Sequence, residues 1–215
     1  ASQVTIHPDF LSLLDKAAKE NHVGAVIITC GLGYLWETIL EVHDLQGSVR
    51  VIGGGKLADK FVVTAAVKAT LVECLKSFHG ARVWAFGDGP LDLPMLQKAD
   101  EAVVVVRQKA IRSKTMEKAL LEAIDLQGLR ARQLLLPGDV EPRLDVAKLP
   151  LVELDETTVL NSILRRDIRR SVLKVIHESD SNSARMLMTP TRDARLRGPG
   201  LREAHRHVGR YLAIR

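Results

Sequence analysis

Aromatic residues are scarce in this chain: Phe, Tyr and Trp together make up 4% of the 215 positions, so Leu, Val, Ile and Ala must fill the interior. The two cysteines, Cys30 and Cys74, are too few for a disulfide framework and predict a reducing, cytoplasmic setting. No apolar run approaches the roughly 18 residues that would mark a bilayer-crossing helix. A basic segment followed by an apolar one, the mark of a secretory signal, is also missing. These absences exclude a disulfide-stapled secreted fold and a membrane-spanning role. Internal repeats and low-complexity tracts are absent too. The chain opens on Ala1 rather than methionine, as expected of a segment excised from a longer protein.

What is present is ordinary globular composition, 46% hydrophobic and 27% charged, with an uneven charge. The formal net charge is +5, yet residues 161–215 hold 13 Lys and Arg against 5 Asp and Glu, leaving 18 against 21 for the first 160. Basic character therefore belongs to the tail and says little about the main domain.

Between residues 20 and 136 two textures alternate. "GAVIIT" (24–29), "SVRVIG" (48–53), "RVWAF" (82–86), "EAVVVV" (101–106) and "RQLLL" (132–136) are short, nearly unbroken apolar runs. That is the pattern of parallel strands covered on both faces. Amphipathic helices lie between them: Val67, Thr70, Leu71, Cys74 and Leu75 recur at helical spacing, as do Met116, Ala119, Leu120, Ala123 and Ile124. The alternation predicts an α/β fold, a three-layer doubly wound (Rossmann-like) mostly parallel sheet, with ligands beyond the carboxyl ends of its strands. The expected divisions are a core over 1–140, a proline-bearing surface connection over 141–155, and a basic helical extension over 156–215. In the extension, a helix is expected from Glu156 to His177, then a polar linker "ESDSNSAR", then a last helix burying Ala204, Val208, Tyr211 and Leu212.

The most informative stretch is "GDGPLDLPML" (87–96), directly after a strand. Asp88 leaves the sheet at its carboxyl edge and Asp92 follows about one helical turn later, so both acids can face one point. Two hard oxygen ligands beside a phosphate-sized crevice suit Mg²⁺, which takes carboxylates, waters and phosphate oxygens. Gly87 and Gly89 permit close backbone approach. The plainer alternative is a solvated turn with Asp92 stabilising a helix N-terminus. Thr29 ends an earlier strand, where its hydroxyl could meet a phosphoryl oxygen or merely cap the helix beginning near Leu32. Lys68 stands near the start of an amphipathic helix, where the helix dipole does not favour its charge. An ordinary solvated lysine is the plainer alternative there, and Lys56 and Lys60 compete for any functional role.

Together these motifs resemble the haloacid dehalogenase superfamily of phosphohydrolases, specifically its phosphoserine-phosphatase-like branch, over residues 7–136. "GDGPLDLPML" matches the family's Gly-Asp-Gly-x-x-Asp-x-x-Met-Leu motif at every fixed position. The resemblance implies Mg²⁺ at Asp88 and Asp92, a phosphoryl seat at Thr29, Cys30 and Gly31, a charge-offsetting Lys68, and a small phosphorylated metabolite as substrate. One departure matters. The family's nucleophile sits in an Asp-x-Asp motif after an apolar strand, and no such motif occurs in these 215 residues. The expectation is an upstream segment supplying it, and a chain inactive alone. A second, shorter resemblance links "LMTPTRDARLRGPGLREAHRHVGRYLA" to the opening of a uracil-phosphoribosyltransferase-like domain, too little to imply transferase activity.

Other features carry less information. "GGGK" (53–56) lacks the spacing and hydroxyl of a phosphate loop. Trp36 stands where a cysteine phosphatase needs Arg, so Cys30 is read as a small buried residue. His205 and His207 stand two apart and make a poor metal pair. The basic tail lacks interleaved aromatics and zinc spacing, so no nucleic-acid partner is expected. Besides the hydrolase, two readings stand: a pseudoenzyme or regulatory module that binds a phosphometabolite without chemistry, and an assembly domain that uses the C-terminal helices for homo-oligomer formation or intramolecular docking.

Overall fold

The apolar run Glu101–Val106 is the middle strand, β4, of a three-stranded parallel sheet, between β3 (Trp84–Gly87) and β5 (Ala131–Leu135). Its alternate side chains enter two different cores, which is why four consecutive valines suit it. Ala102, Val104 and Val106 pack with Val72 of α3 (Ala65–His79), Leu93 and Leu96 of α4 (Leu93–Lys98), and Met116 and Leu120 of α5 (Met116–Asp125). On the other face, Val103 and Val105 pack with Phe10 and Leu13 of α1 (Pro8–Ala18) and Val159 of α6 (Thr157–Leu164). Helices therefore cover both faces of this sheet. In the computed structural model the described residues are 6–54, 62–164 and 186–214. The chain forms two compact units, Ala1–Ile168 and Arg169–Arg215.

All five expected strands form and all pair in parallel, but as two sheets rather than one. β1 (Ala25–Leu32) pairs only with β2 (Val49–Gly54), and β3 pairs only with β4. Among the described residues, β1 and β3 each keep one edge without a strand partner. The smaller sheet is also less covered than its apolar sequence predicts. Val26 is 38% and Leu32 65% exposed. Cys30 is exposed rather than buried, because it lies at the uncovered end of β1.

Between Ile28↔Ile52 and Leu32↔Gly54 the pairing shifts, so β1 spends two more residues than β2 over the same interval. This bulge holds Thr29, Cys30 and Gly31. Thr29 Oγ1 accepts the Gly31 N–H at 3.0 Å. The bulge folds over Gly53, where a Cβ would lie 2.4 Å from Gly33 Cα and 2.9 Å from Thr29 Cγ2, so only glycine fits. The chain then turns into α2 (Gly33–Val42), whose N-cap, Leu32, provides no side-chain bond. Thr29 thus ties its own turn and does not cap that helix.

The stretch 141–155 runs along the surface but is pinned at several points. Leu149, Val152 and Leu154 are buried, and Gln133 of β5 holds the segment down. The Gln133 side chain, fully buried, donates to the carbonyls of Leu144 (2.8 Å) and Leu149 (2.7 Å) and accepts from the Arg143 N–H (2.9 Å). Backbone bonds between Gln133 and both Pro150 and Val152 add a short parallel bridge at Leu151. Gln133→Ala leaves three backbone groups, two of them buried, without this partner and is expected to cost about 2–3 kcal/mol, read as a lower urea midpoint. An unchanged midpoint would show that the segment is held some other way.

In the C-terminal unit, α7 (Pro199–Ile214) forms where the last helix is expected, and Ala204 is buried. The side chains of Tyr211 and Leu212 lie outside the described residues, as do Lys56, Lys60, residues 165–177 of the expected long helix, and the linker 178–185. Among the described residues no helix is long and apolar enough to cross a membrane.

Candidate functional site

The site is built on the carboxyl end of β3. The strand stops at Gly87, the chain turns through Asp88 and Gly89, and a 3₁₀ turn (Pro90–Asp92) leads into α4. Asp92 organises this turn. Its Oδ2 accepts the N–H groups of Asp88 and Gly89, each at 3.1 Å. A Cβ at position 87 would lie 2.4 Å from Asp92 Cβ, so glycine is what lets the acid fold back over the strand end.

The other oxygen, Asp92 Oδ1, accepts from Lys68 Nζ at 2.7 Å. Lys68 stands in the first turn of α3, which Thr64 caps by accepting the Val67 N–H. Both partners are nearly sealed, Lys68 7% and Asp92 8% exposed. An ammonium beside a helix N-terminus is disfavoured by the dipole and by burial, so the opposing carboxylate is what holds it there. Lys68 is therefore not a solvated surface lysine.

Asp88 faces outward. Its Oδ2 meets Arg107 Nη2 at 2.7 Å, with the side chains 45% and 49% exposed. Arg107 directly follows β4, the hydrogen-bonded neighbour of β3, so both residues emerge at the same sheet edge. Sequence reasoning missed Arg107. The available signal was a basic residue immediately after an apolar strand, but using it required knowing that β3 and β4 are adjacent. Deeper in, the buried Arg143 donates to Ser113 O at 3.1 Å, and its Nε has no hydrogen-bond partner among the described residues. Burial, then the charge of Arg112, lower the Arg143 pKa from its ordinary value, while Glu117 and Asp88 oppose the shift. A guanidinium remains charged regardless, so Arg143 adds positive potential near Asp88.

The structure thus brings Lys68, Asp88 and Asp92 together around one turn. Thr29, Cys30 and Gly31 lie at the end of β1 in the other sheet, and among the described residues no hydrogen bond or ion pair links Thr29 to the other three. For a divalent cation, Asp88 is the fitting donor: a half-exposed carboxylate at a strand end. Asp92 has both oxygens engaged by the protein and buttresses the turn. One carboxylate with waters and a phosphate oxygen is within what Mg²⁺ accepts. No cluster of three or more His, Cys, Asp or Glu suited to a metal occurs among the described residues.

A glycine turn with one outward and one inward acid, facing a helix-borne lysine at the edge of parallel strands, defines an α/β domain with charge-handling groups at its rim. Residues 1–97 match a family model described as haloacid dehalogenase-like hydrolase. The match spans Thr29, Lys68, Asp88 and Asp92 and ends one residue past "GDGPLDLPML". Over that segment the chain is similar to this hydrolase family. No curated protein and no solved structure matches the chain significantly.

Proposed function

We propose that this chain is the body of a phosphatase-type hydrolase that handles a small phosphorylated metabolite with Mg²⁺, and that its nucleophile comes from outside these 215 residues. The carrying observation is the Asp88–Asp92–Lys68 turn within the segment that resembles haloacid dehalogenase-like hydrolases. Bound at Asp88, the cation would supply charge stabilisation to a phosphoryl group. Asp92 fixes the turn that aims Asp88, and Lys68 pairs with Asp92 in a buried setting. Thr29 Oγ1 accepts from Gly31 N–H, which leaves its own hydrogen to donate to a phosphoryl oxygen.

Strand edges without a partner among the described residues support this reading. β1 carries Thr29 toward its carboxyl end and β3 carries Asp88 just beyond its own. A further parallel strand that paired with both would join the two sheets, since neighbouring strands lie about 4.8 Å apart. An Asp-x-Asp ending that strand could attack phosphorus and protonate the leaving group. The pseudoenzyme reading is favoured by the sequence itself, which keeps the binding groups without that motif. The C-terminal helical unit is assigned no transferase activity.

Calorimetric titration of the chain with inorganic phosphate in the presence of Mg²⁺ tests the binding reading. Saturable binding is expected, weakened about tenfold by Thr29→Val, the effect of losing one hydrogen bond to a charged group. Heat without saturation, or a Thr29→Val variant binding as well as the parent, would count against a phosphoryl seat at this rim.

A further inference from the structure

We propose that Arg107 is a built-in competitor of the divalent cation at Asp88. The inference rests on the metal reading above and deepens it. Asp88 is the outward acid of the turn, and Arg107 Nη2 lies 2.7 Å from its Oδ2. Asp92 cannot take over the metal's whole demand, because Lys68 and two backbone N–H groups already engage its oxygens. Both acids of "GDGPLD" are therefore balanced by cations of the chain, the inner by a buried lysine and the outer by an arginine at the rim.

The two pairs differ in how easily they yield. Lys68 and Asp92 are sealed, so breaking that pair strands a buried charge. Arg107 and Asp88 are about half exposed, and such pairs are weak. A divalent ion can displace Arg107 but must do so against the guanidinium's own repulsion, since Arg107 is anchored on β4 and stays nearby. Arg143, buried and within electrostatic reach of Asp88, adds to that opposition. Each pair is thus neutral at rest, and the outer one takes up a metal only at a penalty set chiefly by Arg107. A released guanidinium presents a forked donor at the same edge, matched to a phosphate.

Titration of the 215-residue chain with Mn²⁺, followed by electron paramagnetic resonance of the free ion, reads this directly and needs no turnover. Arg107→Gln is expected to tighten Mn²⁺ binding about fivefold to tenfold, and Asp88→Asn to abolish it. Arg132→Gln, which removes another partly exposed arginine that pairs with Glu101 at the opposite end of β4, should change binding less than about twofold at physiological salt because of screening. Equal affinity in the parent and Arg107→Gln overturns the competitor role and leaves the metal reading standing. Equal tightening in Arg107→Gln and Arg132→Gln also overturns it, as an effect of net charge alone. No Mn²⁺ binding by any variant, Arg107→Glu included, sinks the metal reading and this inference with it.

Discussion

Incubated with Mg²⁺ and p-nitrophenyl phosphate, the purified chain should release nitrophenol no faster than buffer. By analogy with a serine hydrolase, loss of the nucleophile costs on the order of a million-fold in rate. The acids at this rim are poor substitutes. Asp92 is buried and engaged by Lys68 and the turn. Asp88 is accessible, but it is paired with Arg107 and is the group proposed to hold the metal. Neither is placed as a free nucleophile. Robust Mg²⁺-dependent turnover by this chain, lost in Asp88→Asn, would mean that catalysis runs without the missing motif and that the hydrolase reading proposed here is wrong in mechanism. The same assay on a version of the chain extended at its N-terminus separates the hydrolase from the pseudoenzyme reading. An upstream apolar strand ending in Asp-x-Asp should restore turnover, whereas its absence leaves a binding module.

The second large effect concerns stability. Lys68→Met should lower the unfolding free energy by about 3–5 kcal/mol, the usual consequence of stranding one charge of a buried pair. The cost falls on Asp92, which keeps the Asp88 and Gly89 N–H groups but loses the cation at 2.7 Å. Asp92→Leu should be at least as harmful, since it also frees those N–H groups. The double variant should cost clearly less than the sum, because the unpaired charge is gone. Chemical denaturation of the four proteins closes the cycle. Additive losses would mean that the two residues do not act as a pair and that the site's inner half has been misassigned.

Much of the layered unit was legible because buried parallel strands are written as unbroken apolar runs. "EAVVVV" is β4 residue for residue. Which strands neighbour one another is not written that way, and so the division into two sheets was invisible. Helix α1 escaped attention although its signals were present: His7 accepting the Asp9 N–H, Pro8 at the first turn, and Phe10, Leu13, Leu14 and Ala17 at helical spacing. In 141–155, prolines and charges masked Leu149, Val152 and Leu154, whose burial depends on a glutamine on β5. At the site, the glycine–aspartate turn could be read locally. The Lys68–Asp92 pair spans 24 positions and Arg107 belongs to the next strand, so both needed the tertiary arrangement.

The irregular pairing at Thr29–Gly31 has a genetic consequence. Side chains along a strand alternate between faces, so the face on which the chain leaves β1 at Leu32 depends on how many residues the loop-out contains. An in-frame loss or gain of a single codon after Thr29 would turn that exit toward the other side while Ala25–Ile28 kept their ladder to β2. Lineages could thus re-aim the turn beside the proposed phosphoryl seat by length variation alone, without replacing any residue that maintains the sheet.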